Sequence, residues 1–237
     1  MNSFSHFCPD HIIILAVIVA LIIAGLILMS KAGEHSTCLT LRIMSVLVIA
    51  VEVLIDVILL ADGRNFLDLL PLHLCNLGLF ISLAASFTKG KVQSYFTELL
   101  LIIIMPGAIG AIMFPDWTYM PAMSLVSILY FLTHSLLVFI TLAFTLKRKV
   151  KISFRHFWYP YLFLIIVCPP IYILDSMKDL NFMFLIYPPA DSPLELLYKL
   201  TGAEFYLVGL SLIGTVFLAL EYSLYSFALR DRNSSQK

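Results

Sequence analysis

The chain has 237 residues, 61% of them hydrophobic and only 13% charged, with a formal net charge of zero. A soluble domain carries roughly 25% charged residues, so a soluble enzyme is excluded and no nucleic-acid partner is expected. A membrane-crossing helix needs roughly 20 mostly apolar residues, and seven such runs occur, at about 12–30, 43–61, 70–87, 95–114, 121–146, 157–175 and 203–228.

These runs predict an all-α fold, a polytopic bundle of seven transmembrane helices forming one domain over residues 1–237. Residues 1 to 11 hold no Lys or Arg, and no small-residue cleavage site follows the first run, so helix 1 is expected to stay in the mature protein. Helix 2 carries Glu52 and Asp56, four residues apart and hence on one face. No Lys or Arg lies within the central spans to neutralise them. An ionisable side chain in the bilayer core is costly and marks a functional site by default.

Helix 3 opens on "LLPLHLCNLG". Pro71 suits a first helical turn, where a missing N–H does no harm. At about 100° per residue His73 and Asn76 share a face, while Cys75 lies some 200° from His73. A base for Cys75 is therefore expected from across the bundle. In helix 4, Pro106 with Gly107 and Gly110 predicts a bend or break. Helix 5 holds Ser127, Tyr130, His134 and Thr141 at spacings that draw one polar stripe. His134 lies about 20 Å along helix 5 from Pro121, and Glu52 about 14 Å in from Ala61, so tilt brings them to similar depth.

Pro169-Pro170 predicts a second break, in helix 6. The long connection 176–202 contains "FMFLIY", too short to span, and then Leu194, Leu197 and Leu200 at helical spacing after Ser192-Pro193. An interfacial helix or lid is expected there. Helix 7 has no lysine for a retinal Schiff base, and neither a DRY nor an NPxxY motif is present, which counts against the receptor readings. Trp117, Tyr119, Trp158, Tyr159, Tyr161 and Tyr187 lie near span ends, as an aromatic belt requires.

Twelve basic residues fall on one side of the predicted spans: Lys31, Arg42, Lys89, Lys91, Lys147, Arg148, Lys149, Lys151, Arg155, Arg230, Arg232 and Lys237. Arg64, Lys178 and Lys199 fall on the other. The positive-inside rule then puts the N-terminus outside and the C-terminus in the cytoplasm. Cys8, Cys38, Cys75 and Cys168 show no CxxC spacing, so neither a zinc finger nor a disulfide framework is indicated.

The "LPLHLC" segment, the helix 5 histidine and "NFMFLIYPP" together resemble the bacterial YwaF-type integral membrane family across nearly the whole chain. That family is distantly similar to an animal transmembrane acyltransferase that moves fatty acyl chains between phospholipids through a cysteine and a histidine. The resemblance implies Cys75 as nucleophile and His134 as base. Two positions depart from the pattern: the order is His73-Leu74-Cys75 rather than Cys directly before His, and Phe114 precedes Pro115-Asp116 where a Thr is expected.

The leading expectation is a lipid acyltransferase or transacylase of the cell membrane. Cys75 attacks an ester after losing its proton to His134, Asn76 or His73 donates to the oxyanion, and Glu52 or Asp56 orients the histidine. Tyr130, Ser127, Asn181 and Asp116 are the candidate substrate contacts, and membrane lipids the partners. The other class is a proton- or cation-coupled transporter using Glu52, Asp56 and His134. His73, His134, Glu52 and Asp56 are metal-ligand types, but no HExxH or comparable spacing accompanies them, so no metal and no cofactor are expected.

Overall fold

The computed structural model describes residues 4–147 and 152–234, with side chains described as far as Tyr225. Seven α-helices occur among the described residues, and no strand: α1 Pro9–Lys31, α2 Glu34–Ala61, α3 Leu74–Phe87, α4 Gly90–Met113, α5 Leu125–Lys147, α6 Trp158–Lys178 and α7 Pro193–Ser234. Six of the helical stretches are long and apolar enough to cross a membrane. The chain is a multi-pass membrane protein. The exception is α3, whose 14 residues extend about 21 Å, short of a hydrocarbon core of about 30 Å.

The third predicted span is thus shorter than expected, and Pro71 lies ahead of the helix rather than in its first turn. A residue before proline is driven out of the α region, and Leu70 accordingly has φ −59° and ψ 136°. The chain turns at Pro71, where the Leu72 N–H donates to the Leu70 carbonyl at 2.7 Å, and His73 is extended, at ψ 150°, before α3 begins. The break expected near Pro106 takes a specific form: Leu100–Ile104 forms a single π-helical stretch inside α4. Proline cannot donate to the helix ladder and crowds the preceding turn, and a widened turn just upstream accommodates it. Pro169-Pro170, by contrast, lies within α6 without interrupting it.

By its contacts the chain divides into two compact units, Met1–Lys149 and Val150–Lys237. In the first, α2 and α5 form the centre, with Val51, Ile55 and Leu59 of α2 packed on Val126 and Leu129 of α5. Serines pin α3 to α2: Ser45 Oγ lies 2.7 Å from Ser86 Oγ and donates to the Ser82 carbonyl at 3.2 Å. Buried hydroxyls this close let the helix backbones approach and keep every polar atom partnered. On its other side α3 meets α4 at Gly78, where a side chain would collide with Ile104. Helix α1 is apolar all round and mostly exposed, as a helix facing lipid should be. It is tied at one end by Lys147 Nζ, which donates to the carbonyls of Ser30 at 3.0 Å and Ala32 at 2.8 Å.

In the second unit, Tyr222 donates to the His156 carbonyl at 3.2 Å and Tyr206 to the Phe184 carbonyl at 3.1 Å. Helix α7 does begin at Pro193, as Ser192-Pro193 predicts, and changes direction at Gly202, where φ is +72°. Few residues other than glycine adopt that angle without strain.

Candidate functional site

All but one of the predicted site residues belong to the first unit, and several touch. Glu52 is buried on α2, and Asn76 in the first turn of α3 donates Nδ2–H to its Oε1 at 2.6 Å. Asp56, one turn along α2 and half-buried, lies within electrostatic reach of Glu52. Cys75 precedes Asn76 and is also half-buried. Its Sγ sits 4.0 Å from where a Cβ on Gly107 of α4 would stand, an ordinary van der Waals distance, so the thiol faces α4. Glu52 and Asp116 both lie within electrostatic reach of it.

Helix α5 contributes the histidine. His134 is buried, and its Nδ1 lies 2.7 Å from the Tyr130 carbonyl one turn earlier. A carbonyl only accepts, so Nδ1 carries the proton and Nε2 keeps its lone pair. The orienting group is therefore main-chain, not the Glu52 or Asp56 carboxylate expected from triad logic. His73, the residue capping α3, is within electrostatic reach of His134. Ser127 is fully buried and accepts a hydrogen bond from Ser124 Oγ at 2.9 Å, which ties it to the start of its own helix.

The loop between α4 and α5 closes this end of the unit. Trp117 stacks on Tyr130 with ring centroids 4.8 Å apart and lies 5.5 Å from the His134 ring. It is 4% exposed, so it is a wall of the site and not the belt residue its place near a span end suggests. Tyr119 is exposed, with the Arg64 guanidinium 4.9 Å from its ring centroid. Burial raises the Asp116 carboxyl above its ordinary value, and likewise the Tyr119 phenol, with Arg64 opposing. The segment before α1 packs over the same loop. His6 Nε2 lies 3.0 Å from the Pro115 carbonyl, and His11 bridges the Phe7 N–H at 2.9 Å and the Ile112 carbonyl at 2.9 Å.

Beside this polar cluster runs an apolar groove of about 440 Å³, lined by Ile13, Val17 and Leu21 of α1 and by Phe131, Leu132 and Phe139 of α5. Phe131 belongs to both surroundings, since its ring is 5.4 Å from Trp117. Among the described residues, no three His, Cys, Asp or Glu side chains converge closely enough to hold a metal ion.

A family model described as the TMEM164 family matches residues 4–222. The chain belongs to the TMEM164 family. The matched stretch holds every residue of the cluster; the description it carries is not the YwaF-type one. No curated protein and no solved structure matches the chain.

One predicted contact of this TMEM164-family chain lies in the second unit. Asn181 Oδ1 accepts from the Ile186 N–H at 3.0 Å and the Tyr187 N–H at 3.3 Å, and Nδ2 donates to the Tyr187 carbonyl at 2.8 Å. Its amide closes the loop after α6. Sequence reasoning missed Trp117 as a wall of the site and Thr133, a buried residue whose hydroxyl approaches the Glu52 carboxyl. The signal for Thr133 was its place directly before His134 and, at i+3, on the Tyr130 face; for Trp117 it was adjacency to Asp116.

Proposed function

We propose that the protein is a lipid acyltransferase or transacylase of the cell membrane, acting through Cys75 and His134 on an outer-leaflet glycerolipid. The observation that carries this reading is the hydrogen bond between His134 Nδ1 and the Tyr130 carbonyl, which leaves Nε2 as a base in a buried polar cluster that also holds a thiol. A cysteine becomes an effective nucleophile when a positioned base takes its proton.

In the proposed cycle His134 Nε2 accepts the Cys75 proton as Sγ bonds to the ester carbonyl carbon. Collapse of the tetrahedral adduct breaks the ester C–O bond, and His134 returns the proton to the departing alcohol. An acyl-thioester stays on Cys75. The acceptor hydroxyl then gives its proton to His134 and attacks the thioester, and the thiolate leaves and is reprotonated. The apolar groove takes the acyl chain, with Phe131 at its border with the cluster. Arg64 over Tyr119 supplies positive charge for a phosphate headgroup at the loop end.

Lipid profiling of membranes carrying wild type, Cys75→Ala and His134→Ala tests the proposal. Wild type is expected to redistribute labelled acyl chains and both variants to lose this, whereas identical profiles in all three refute it. A second reading, a proton- or cation-coupled transporter, draws on Glu52, a buried carboxyl whose hydrogen-bond donor is the neutral Asn76 amide.

A further inference from the structure

The apolar groove between α1 and α5 starts beside the polar cluster and is stopped at its other end. Its lining descends both helices together, from Ile13 to Gly25 on α1 and from Ile128 to Phe139 on α5. The rise from residue 13 to residue 25 makes it about 18 Å long. At the far end the two helices close on each other. Gly25 lets the Phe139 ring lie on the α1 backbone, since a Cβ there would stand 2.7 Å from Phe139 Cε2. Small residues permit such an approach between membrane helices. Further in the same direction, Lys147 Nζ ties α5 to the end of α1 through the Ser30 and Ala32 carbonyls.

The side chains lining the groove are apolar apart from Ser135, and that hydroxyl donates to the Phe131 carbonyl of its own helix. No lining side chain is left to pair with a polar ligand, and a polar group entering such a place would lose its water without compensation. The occupant that fits is hydrocarbon. One leaflet's share of a hydrocarbon core of about 30 Å is about 15 Å, so the groove takes one ordinary lipid chain in full and leaves little room beyond it. We propose that the groove is a closed-ended slot for a single acyl chain, and that Phe139, seated on Gly25, is the floor that sets the longest chain accepted. This inference rests on the acyl-transfer reading above and adds to it the residue that selects among acyl chains.

The test uses the full chain in phosphatidylcholine liposomes, with donor phospholipids carrying saturated acyl chains of graded length and a lysophospholipid as acceptor. Phe139→Ala lowers the floor; Ile22→Trp, about 4.5 Å nearer the cluster along α1, raises it. In wild type each methylene beyond the limit is expected to lower kcat/KM roughly tenfold. The limit moves to longer chains by several carbons in Phe139→Ala and to shorter ones in Ile22→Trp. Opposite shifts from two variants of one groove cannot come from a general loss of stability. A second readout needs no turnover: a phospholipid with a diazirine at the end of its acyl chain, irradiated in the same liposomes, labels the peptides holding Gly25 and Phe139 in wild type and in Cys75→Ala alike. If transfer depends on Cys75 and His134 while neither variant moves the limit, or the label scatters along α1, the inference alone fails. If the label falls at Gly25 and Phe139 while wild type gives no transfer, or Cys75→Ala retains it, the acyl-transfer reading fails and the slot stands as a lipid-binding site.

Discussion

Gly78→Ala probes the contact that sets α3, and with it Cys75, against α4. A Cβ at residue 78 would stand 2.3 Å from Ile104 Cγ2, where carbon atoms prefer about 3.5–4.0 Å. Something must move by more than an ångström. Ile104 is fully buried within the π-helical stretch, and a β-branched side chain in a helix has essentially one χ1 position, so the methyl cannot swing aside. Overpacking of this kind costs about 1–3 kcal/mol. Alanine regains up to about 1 kcal/mol of helix propensity over glycine, so a net destabilisation of about 2 kcal/mol is expected from the upper end of that range. Cys75 lies three residues before Gly78, on the same face, and a displacement of about 1 Å at a reacting group can cost about 100-fold in rate. Thermal unfolding in detergent and acyl transfer in liposomes read the two effects. Ile104→Leu removes the Cγ2 branch and should restore Gly78→Ala, whereas Ile104→Val keeps the branch and should not. A Gly78→Ala protein as stable as wild type, or equal rescue by the two Ile104 variants, would refute the reasoning.

Asn76→Leu removes the donor to Glu52 and should destabilise by about 1–3 kcal/mol; Asn76→Leu with Glu52→Leu should recover most of that, because removing both partners of a buried hydrogen bond is nearly neutral. Denaturation of the single and double variants checks this, and failure of the double to recover would show that Glu52 has another essential partner. Val17→Trp fills the apolar groove from an exposed position on α1, so transfer of long acyl chains should fall relative to short ones while the fold persists; an unchanged chain-length profile by mass spectrometry would place the acyl chain elsewhere. Liposomes containing the protein should hold an imposed pH gradient as well as empty liposomes do, and a leak abolished by Glu52→Gln would favour transport over acyl transfer.

Much of the fold is legible because burying apolar surface in lipid needs long uninterrupted runs, and six of the seven runs fall in helices long and apolar enough to cross a membrane. What stays hidden is local. The π-helical stretch lies in "LLIII", which is apolar on every side and so gives no periodicity to read. The shortening of α3 was legible in Pro71, had its effect on Leu70 been preferred to its tolerance in a first turn. At the site, residue types announced Glu52, His134 and Cys75, since charge and imidazole are rare in hydrocarbon. Pairings were not announced: that His134 leans on its own helix's carbonyl rather than on an acid depends on a rotamer. Trp117 reads as a belt residue by position, and only the rings of Tyr130, Phe131 and His134 around it make it a wall.

The segment ahead of α1 bears on how the protein is handled at the bench. Phe4 is 5% exposed, with its ring 5.2 Å from His11 and 6.2 Å from Phe131, and His6 bonds the loop that carries Trp117. An affinity tag or fluorescent fusion placed directly before Phe4 would emerge at the rim of the cluster and pull on that loop. A recombinant version labelled there can look inert for reasons unrelated to its chemistry, so a fusion partner belongs behind a long flexible spacer or at the opposite terminus.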